Sequence, residues 1–209
     1  MQATTINTNN SEADWHEILM RLPRNNDFLF FYENVNAAIW FITNYVQFLT
    51  RSGGHEITSL YGGHINSLAD FIYQANYSLP VSYRLRILTH ALYDLLLNFE
   101  TEPPNRFLFW NDAQVLYSSN RTDFEAIFEM MISAAYCNRN GVSTIREDGH
   151  RYQVNQRNFF FFHGLKPAGL KELTSQVRYI PSIDGSFYKI LEFNIIQIRG
   201  TNGVWLAED

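Results

Sequence analysis

Up to about residue 140, apolar residues recur three and four positions apart; beyond it they alternate or run together. Trp15, Ile18, Leu19 and Leu22 follow Ser11, a capping residue, and stop at Pro23, which predicts a first helix. The longest periodic segment covers 27–51, with Val35, Ala38, Ile39, Ile42, Tyr45, Val46 and Leu49 on one face, and Gly53-Gly54 ends it. Ile65, Leu68, Ala69 and Ile72 predict a shorter helix. Another opens near Pro80 and carries Leu85, Leu88, Leu92, Leu95, Leu96 and Phe99. FLFW and AQVLY, on either side of Asn111-Asp112, read as short strands or buried extended segments. Thr122 and Glu125 have capping-box spacing ahead of Phe124, Ile127, Phe128, Met131 and Ala135, a helix that ends near Asn140-Gly141.

After Gly141 the strand period takes over. VSTIR and HRYQV flank Asp148-Gly149, a two-strand hairpin signal. NFFFF reads as a buried strand, PAGLKELTSQ as a short helix, and FYKILEFNIIQIR and VWLA as strands set off by turns. The expected fold is α+β, an N-terminal helical bundle packed with a small, mainly antiparallel C-terminal sheet. Residues 1–10 are expected to be a disordered tail, 11–140 the helical portion, and 141–209 a β-rich portion sharing its core.

Composition narrows the function classes. The chain has 209 residues, 16% of them aromatic, enough apolar surface to offset the entropy of folding. A net charge of −5 leaves no basic face for nucleic acid, so no nucleic-acid partner is expected. The apolar stretch 37–49 contains Thr43, Asn44 and Gln47 and is shorter than the ~20 apolar residues of a membrane span. A single cysteine, Cys137, excludes an internal disulfide framework and suits a cytoplasmic protein. Only Lys166, Lys171 and Lys189 among the sixteen basic residues are lysine, a bias that would suit a chain that must survive in a foreign cytosol.

Four constellations could carry chemistry. His55 and His64 each follow a glycine pair. Their spacing lacks a third ligand, so they read as solvent-facing turn residues and no metal is expected. Arg86, His90 and Asp94 lie four apart on one helix face, where Asp94 could orient His90 as a general base. Cys137 sits near a helix C-terminus, where the dipole disfavours a thiolate, and reads as a structural residue. His163-Gly164 follows NFFFF and precedes a short helix, with GVWLA near the C-terminus.

From His163 to Ala207 this arrangement resembles the front half of the ADP-ribosyltransferase fold. There a strand ends in His-Gly and a later strand reads Gly-hydrophobic-Tyr-hydrophobic-Ala. The resemblance implies that His163, with Gly164, holds a ribose of NAD and that Trp205 stacks on nicotinamide. Trp205 replaces the family's tyrosine, no Thr or Ser follows Gly164, and Asp209 ends the chain before the family's catalytic acid.

A Gly-rich phosphate loop with lysine, a dinucleotide fingerprint and a nucleophile elbow are all missing from the sequence. The expected function is therefore non-enzymatic. The protein is read as one that binds another macromolecule, most simply a protein, without a cofactor, in a viral or host-directed, effector-like setting. The alternative is NAD-dependent transfer through the His163 region, with His163, His90 and Asp94 as catalytic residues and Trp205 and Gly164 at the cofactor. Convergence of His90, His163, Arg178 and Glu192 on one cleft would favour it.

Overall fold

A computed structural model describes residues 3–7, 12–21, 28–31, 35–79, 92–93, 96, 105–140, 143–145, 149, 151–153, 157–165, 168–169, 172–173, 178–181, 187–190 and 195–199, some of them by backbone alone. The elements in chain order are β1 (Ala3–Asn7), α1 (Glu12–Arg21), β2 (Phe28–Phe31), α2 (Val35–Ser52), β3 (His55–Tyr61) and α3 (Leu68–Ser78). They continue with β4 (Asn105–Asn111), α4 (Gln114–Ser119), α5 (Arg121–Asn140), β5 (Ser143–Ile145), β6 (Arg151–Gln153) and β7 (Arg157–His163). The last are β8 (Arg178–Pro181), β9 (Phe187–Ile190) and β10 (Ile195–Arg199).

The central sheet has the order β2-β7-β4-β3, and every neighbouring pair is parallel. This overturns the expected antiparallel sheet and separate helical bundle. Strands from both sides of residue 141 lie in one sheet, and helices cover both of its faces. The physical reason is legible in the core strands. A strand buried on both faces has no need to alternate, so parallel central strands read as unbroken apolar runs. FLFF, FLFW and FFFF are such runs, and they form adjacent strands.

Alternate residues of β4 and β7 feed two cores. Phe107, Phe109, Phe159 and Phe161 meet Phe41, Ile42, Tyr45 and Leu49 of α2 on one face. Phe107 stacks on Phe159 at 4.6 Å between centroids and Phe109 on Phe161 at 4.3 Å, rungs that run across the two central strands. Leu108, Trp110, Phe160 and Phe162 meet Phe71 of α3, Leu116 of α4, and Phe124, Ile127 and Phe128 of α5 on the other. Offset aromatic pairs of this kind add to the stabilisation from buried area.

Further sequence expectations are corrected locally. Segment 27–51 was expected to be one helix, but α2 starts only at Val35, after β2. HEITSLY forms β3, where turn residues were expected. AQVLY, read as extended, lies largely in α4. Residues 3–7, expected to be disordered, form β1, which pairs parallel with β10; β10 in turn runs beside β2. Asn120, not Thr122, caps α5, because its side chain accepts from the Asp123 N–H at 3.2 Å. The antiparallel hairpin around Gly149 forms as β5 and β6. The helix expected from Pro80 is described only at residues 92, 93 and 96.

Candidate functional site

Because the four core strands are parallel, their carboxyl ends share one edge, bringing together Phe31, Tyr61, Asn111 and His163. From β2 the chain leaves for α2, on one face of the sheet. From its neighbour β7 it leaves for the opposite face, where Leu165 and Leu173 join the other core. The β2–β7 boundary is thus a topological switch point, and a crevice opens outside the strand ends at such points in open α/β sheets. β2 and α2 are joined by Tyr32-Glu33-Asn34 in the sequence, residues outside those described.

His163 ends β7 with 3% of its surface exposed. Strand alternation puts its side chain on the face of Phe159 and Phe161, the face that α2 covers. It therefore sits one layer beyond the phenylalanine rungs on that face. Its Nδ1 lies 3.7 Å from Asp112 Oδ1, beyond hydrogen-bond length but close enough for attraction. Its Nε2 is buried and has no hydrogen-bond partner among the described residues. Such an atom carries a desolvation cost that a ligand can relieve.

The backbone around this ring is over-determined. Ala113 N–H donates to the His163 carbonyl at 3.0 Å, which ties the end of β4 to the end of β7. Asp112 occupies positive φ (52°), and its carboxylate is 60% exposed at the edge. Gly164 also has positive φ (87°), which glycine adopts without strain. Gly62 packs so closely on β4 that a Cβ there would lie 2.1 Å from the Asn111 carbonyl oxygen. Farther along, Glu172 bridges Arg121 and Tyr117, so the segment after β7 is moored to α4 and α5.

Burial lowers the His163 pKa, and Asp112 only partly opposes the shift. His16 and His55 are lowered by burial as well. A depressed imidazole pKa means that the unfolded chain binds protons more readily than the folded one. Stability is then full above the unfolded value of ~6.5 and falls as the pH drops below it. The melting temperature should accordingly decline between about pH 7 and pH 5.5, and His163→Gln should remove part of that decline. A pH profile unchanged by the substitution would contradict the burial of this ring.

Of the residues singled out in the sequence, only His163 and Gly164 are described at this carboxyl edge. His90, Asp94, Trp205 and Glu192 lie outside the described residues, as do the side chains of Cys137 and Arg178. The second half of the ADP-ribosyltransferase resemblance thus has no described counterpart. His55 opens β3 and His64 lies in the 3-10 turn beyond its other end, with ~20 Å of strand between, too far to share an ion. Asp112 escaped the sequence reading. Its signal was the Asn-Asp pair directly after an apolar run, where a strand ends and a helix begins.

Protein-family models, curated proteins and solved structures provide no match to this chain. Among the described residues, no helix is long and apolar enough to cross a membrane.

Proposed function

We propose that this protein binds a small polar molecule in the crevice at the carboxyl edge of its parallel sheet. The observation that carries the reading is the buried, unpartnered Nε2 of His163 at the switch point, beside the Asp112 carboxylate. A neutral imidazole can accept a hydrogen bond from a ligand or take a proton from it, and an adjacent carboxylate would stabilise the resulting charge. Tyr32-Glu33-Asn34, between β2 and α2, contains neither glycine nor lysine. The reading is thus of recognition by polar side chains rather than by a phosphate cradle.

Thermal-shift screening of nucleosides, nucleotides (NAD among them), sugars and amino acids tests it. At least one class should raise the melting temperature; a ligand at a hundred times its Kd contributes ~2.7 kcal/mol. His163→Ala should weaken that ligand about tenfold or more, the equivalent of one hydrogen bond to a charged or strongly polarised group. Hits that survive both His163→Ala and Asp112→Ala would refute the site.

A second reading, binding of a protein partner, is favoured by a separate surface. Tyr61, Tyr73 and Tyr77 are 66%, 65% and 59% exposed, and the Tyr73 and Tyr77 rings meet at 4.9 Å on α3. Gln74, between them, pairs its carboxamide with the N–H and C=O of Tyr61 as a neighbouring strand would. Exposed tyrosines beside a sheet edge suit interface anchors. Tyr73→Ala with Tyr77→Ala should weaken partner capture at least tenfold while shifting stability by less than ~0.5 kcal/mol at either site. Capture unaffected by the pair would remove this reading.

A further inference from the structure

The amino edge of the parallel sheet holds a pair of imidazoles. His16 of α1 and His55, the first residue of β3, face each other with ring centroids 5.2 Å apart and planes tilted by 56°. Both rings are bedded in aromatic side chains: His16 lies 5.4 Å from Phe48, and His55 meets Phe107 edge-on at 5.3 Å. His55 Nδ1 is buried and has no hydrogen-bond partner among the described residues. His16 Nδ1 lies 3.4 Å from the hydroxyl of buried Tyr45.

Two imidazoles bound to one tetrahedral ion, each nitrogen ~2.0–2.1 Å from the metal, have ring centroids ~5.3 Å apart. The observed separation matches. The partners of the ring nitrogens also fit. Metal-bound histidines characteristically commit their other nitrogen to an oxygen, which fixes the tautomer. The Tyr45 hydroxyl can do this for His16 Nδ1, which would leave His16 Nε2 as its ligand atom, while His55 offers its buried Nδ1, unpartnered among the described residues.

We propose that His16 and His55 form a two-imidazole site for a borderline transition-metal dication, Zn²⁺ or Cu²⁺, that fastens α1 to β3. Among the described residues no set of three ligating side chains converges, so water completes the coordination and the ion is exchangeable. Imidazole ligands suit these ions, and Cu²⁺ binds tighter than Zn²⁺. Occupancy would couple the position of α1 to the edge strand of the sheet, so the site acts as a metal-dependent clasp.

Calorimetric titration of ZnCl₂ into the full chain near neutral pH, with neutral histidines, tests the proposal. One equivalent should bind and raise the melting temperature. His16→Gln and His55→Gln should each weaken binding at least tenfold, and His64→Ala should leave it unchanged. Circular dichroism confirms that each variant is folded. If a variant is not, electron paramagnetic resonance of the Cu²⁺-loaded wild-type protein decides, with coupling expected from two imidazole nitrogens. Absence of binding, binding that survives both glutamine variants, or a Cu²⁺ spectrum without two-nitrogen coupling would overturn the proposal.

Discussion

Replacing Arg106 with methionine should lower stability by about 3–5 kcal/mol, the cost of leaving a buried carboxylate without its partner. Arg106 is 1% exposed and Glu56 8% exposed, and they face each other in register across β4 and β3. The guanidinium holds the carboxylate at two points, through Nε and, at 3.1 Å, through Nη2. Asn158, fully buried on β7, is the next residue in the same register, and its side-chain amide donates to the Leu96 carbonyl. A polar row therefore crosses three strands beneath an otherwise aromatic layer. Its loss should be non-additive: Arg106→Met combined with Glu56→Leu should cost less than the two single variants added together, because neither member of this pair is left facing the other's absence. Urea unfolding of the three variants checks this. A double variant as unstable as the two singles added together would contradict it.

The second large effect is expected at Trp110. Its ring is fully buried and meets Phe71 at 4.9 Å, Phe124 at 5.3 Å and Phe162 at 5.8 Å, which joins α3 and α5 to two strands. Trp110→Ala should cost about 3–5 kcal/mol through lost contacts and the cavity left behind. For a protein of ordinary stability that is a large share of the total. Trp110→Phe is a sharper test. Among the described residues the indole N–H is buried without a partner, so its removal forfeits no hydrogen bond, and the smaller cavity left by phenylalanine should cost clearly less than that left by alanine. A loss from Trp110→Phe equal to that from alanine would contradict this.

How much of this was legible in the sequence follows from which residues carry local signals. α1, the body of α2 and α5 are amphipathic, with apolar stripes that repeat at helical spacing, and β5–β6 announces itself by Asp148-Gly149. The central strands signal only burial. Phe159 to Phe162 mark a strand buried on both faces but carry no information about neighbours or direction, since parallel order arises from crossovers tens of residues long. β3 was hidden because its less buried face carries His55, Ser59 and Tyr61 and its more buried one includes Glu56 and Thr58. Those last two read as surface residues until Arg106 and the Ser78 carbonyl supply their partners. The same applies at the site. His163 was visible as a histidine ending an apolar strand, but Asp112 lies far from it in sequence and becomes its neighbour only when β4 and β7 pair.

The central claim is that the carboxyl edge at the β2–β7 switch point is the ligand crevice. Chemical-shift mapping of isotope-labelled protein, with the most stabilising compound from the thermal screen, tests it most directly. The account predicts that the largest changes fall on the backbone amides of residues 111–113 and 163–165 and on the imidazole of His163. Changes centred on the tyrosines of α3 or on His16 and His55, with His163 unmoved, would contradict it.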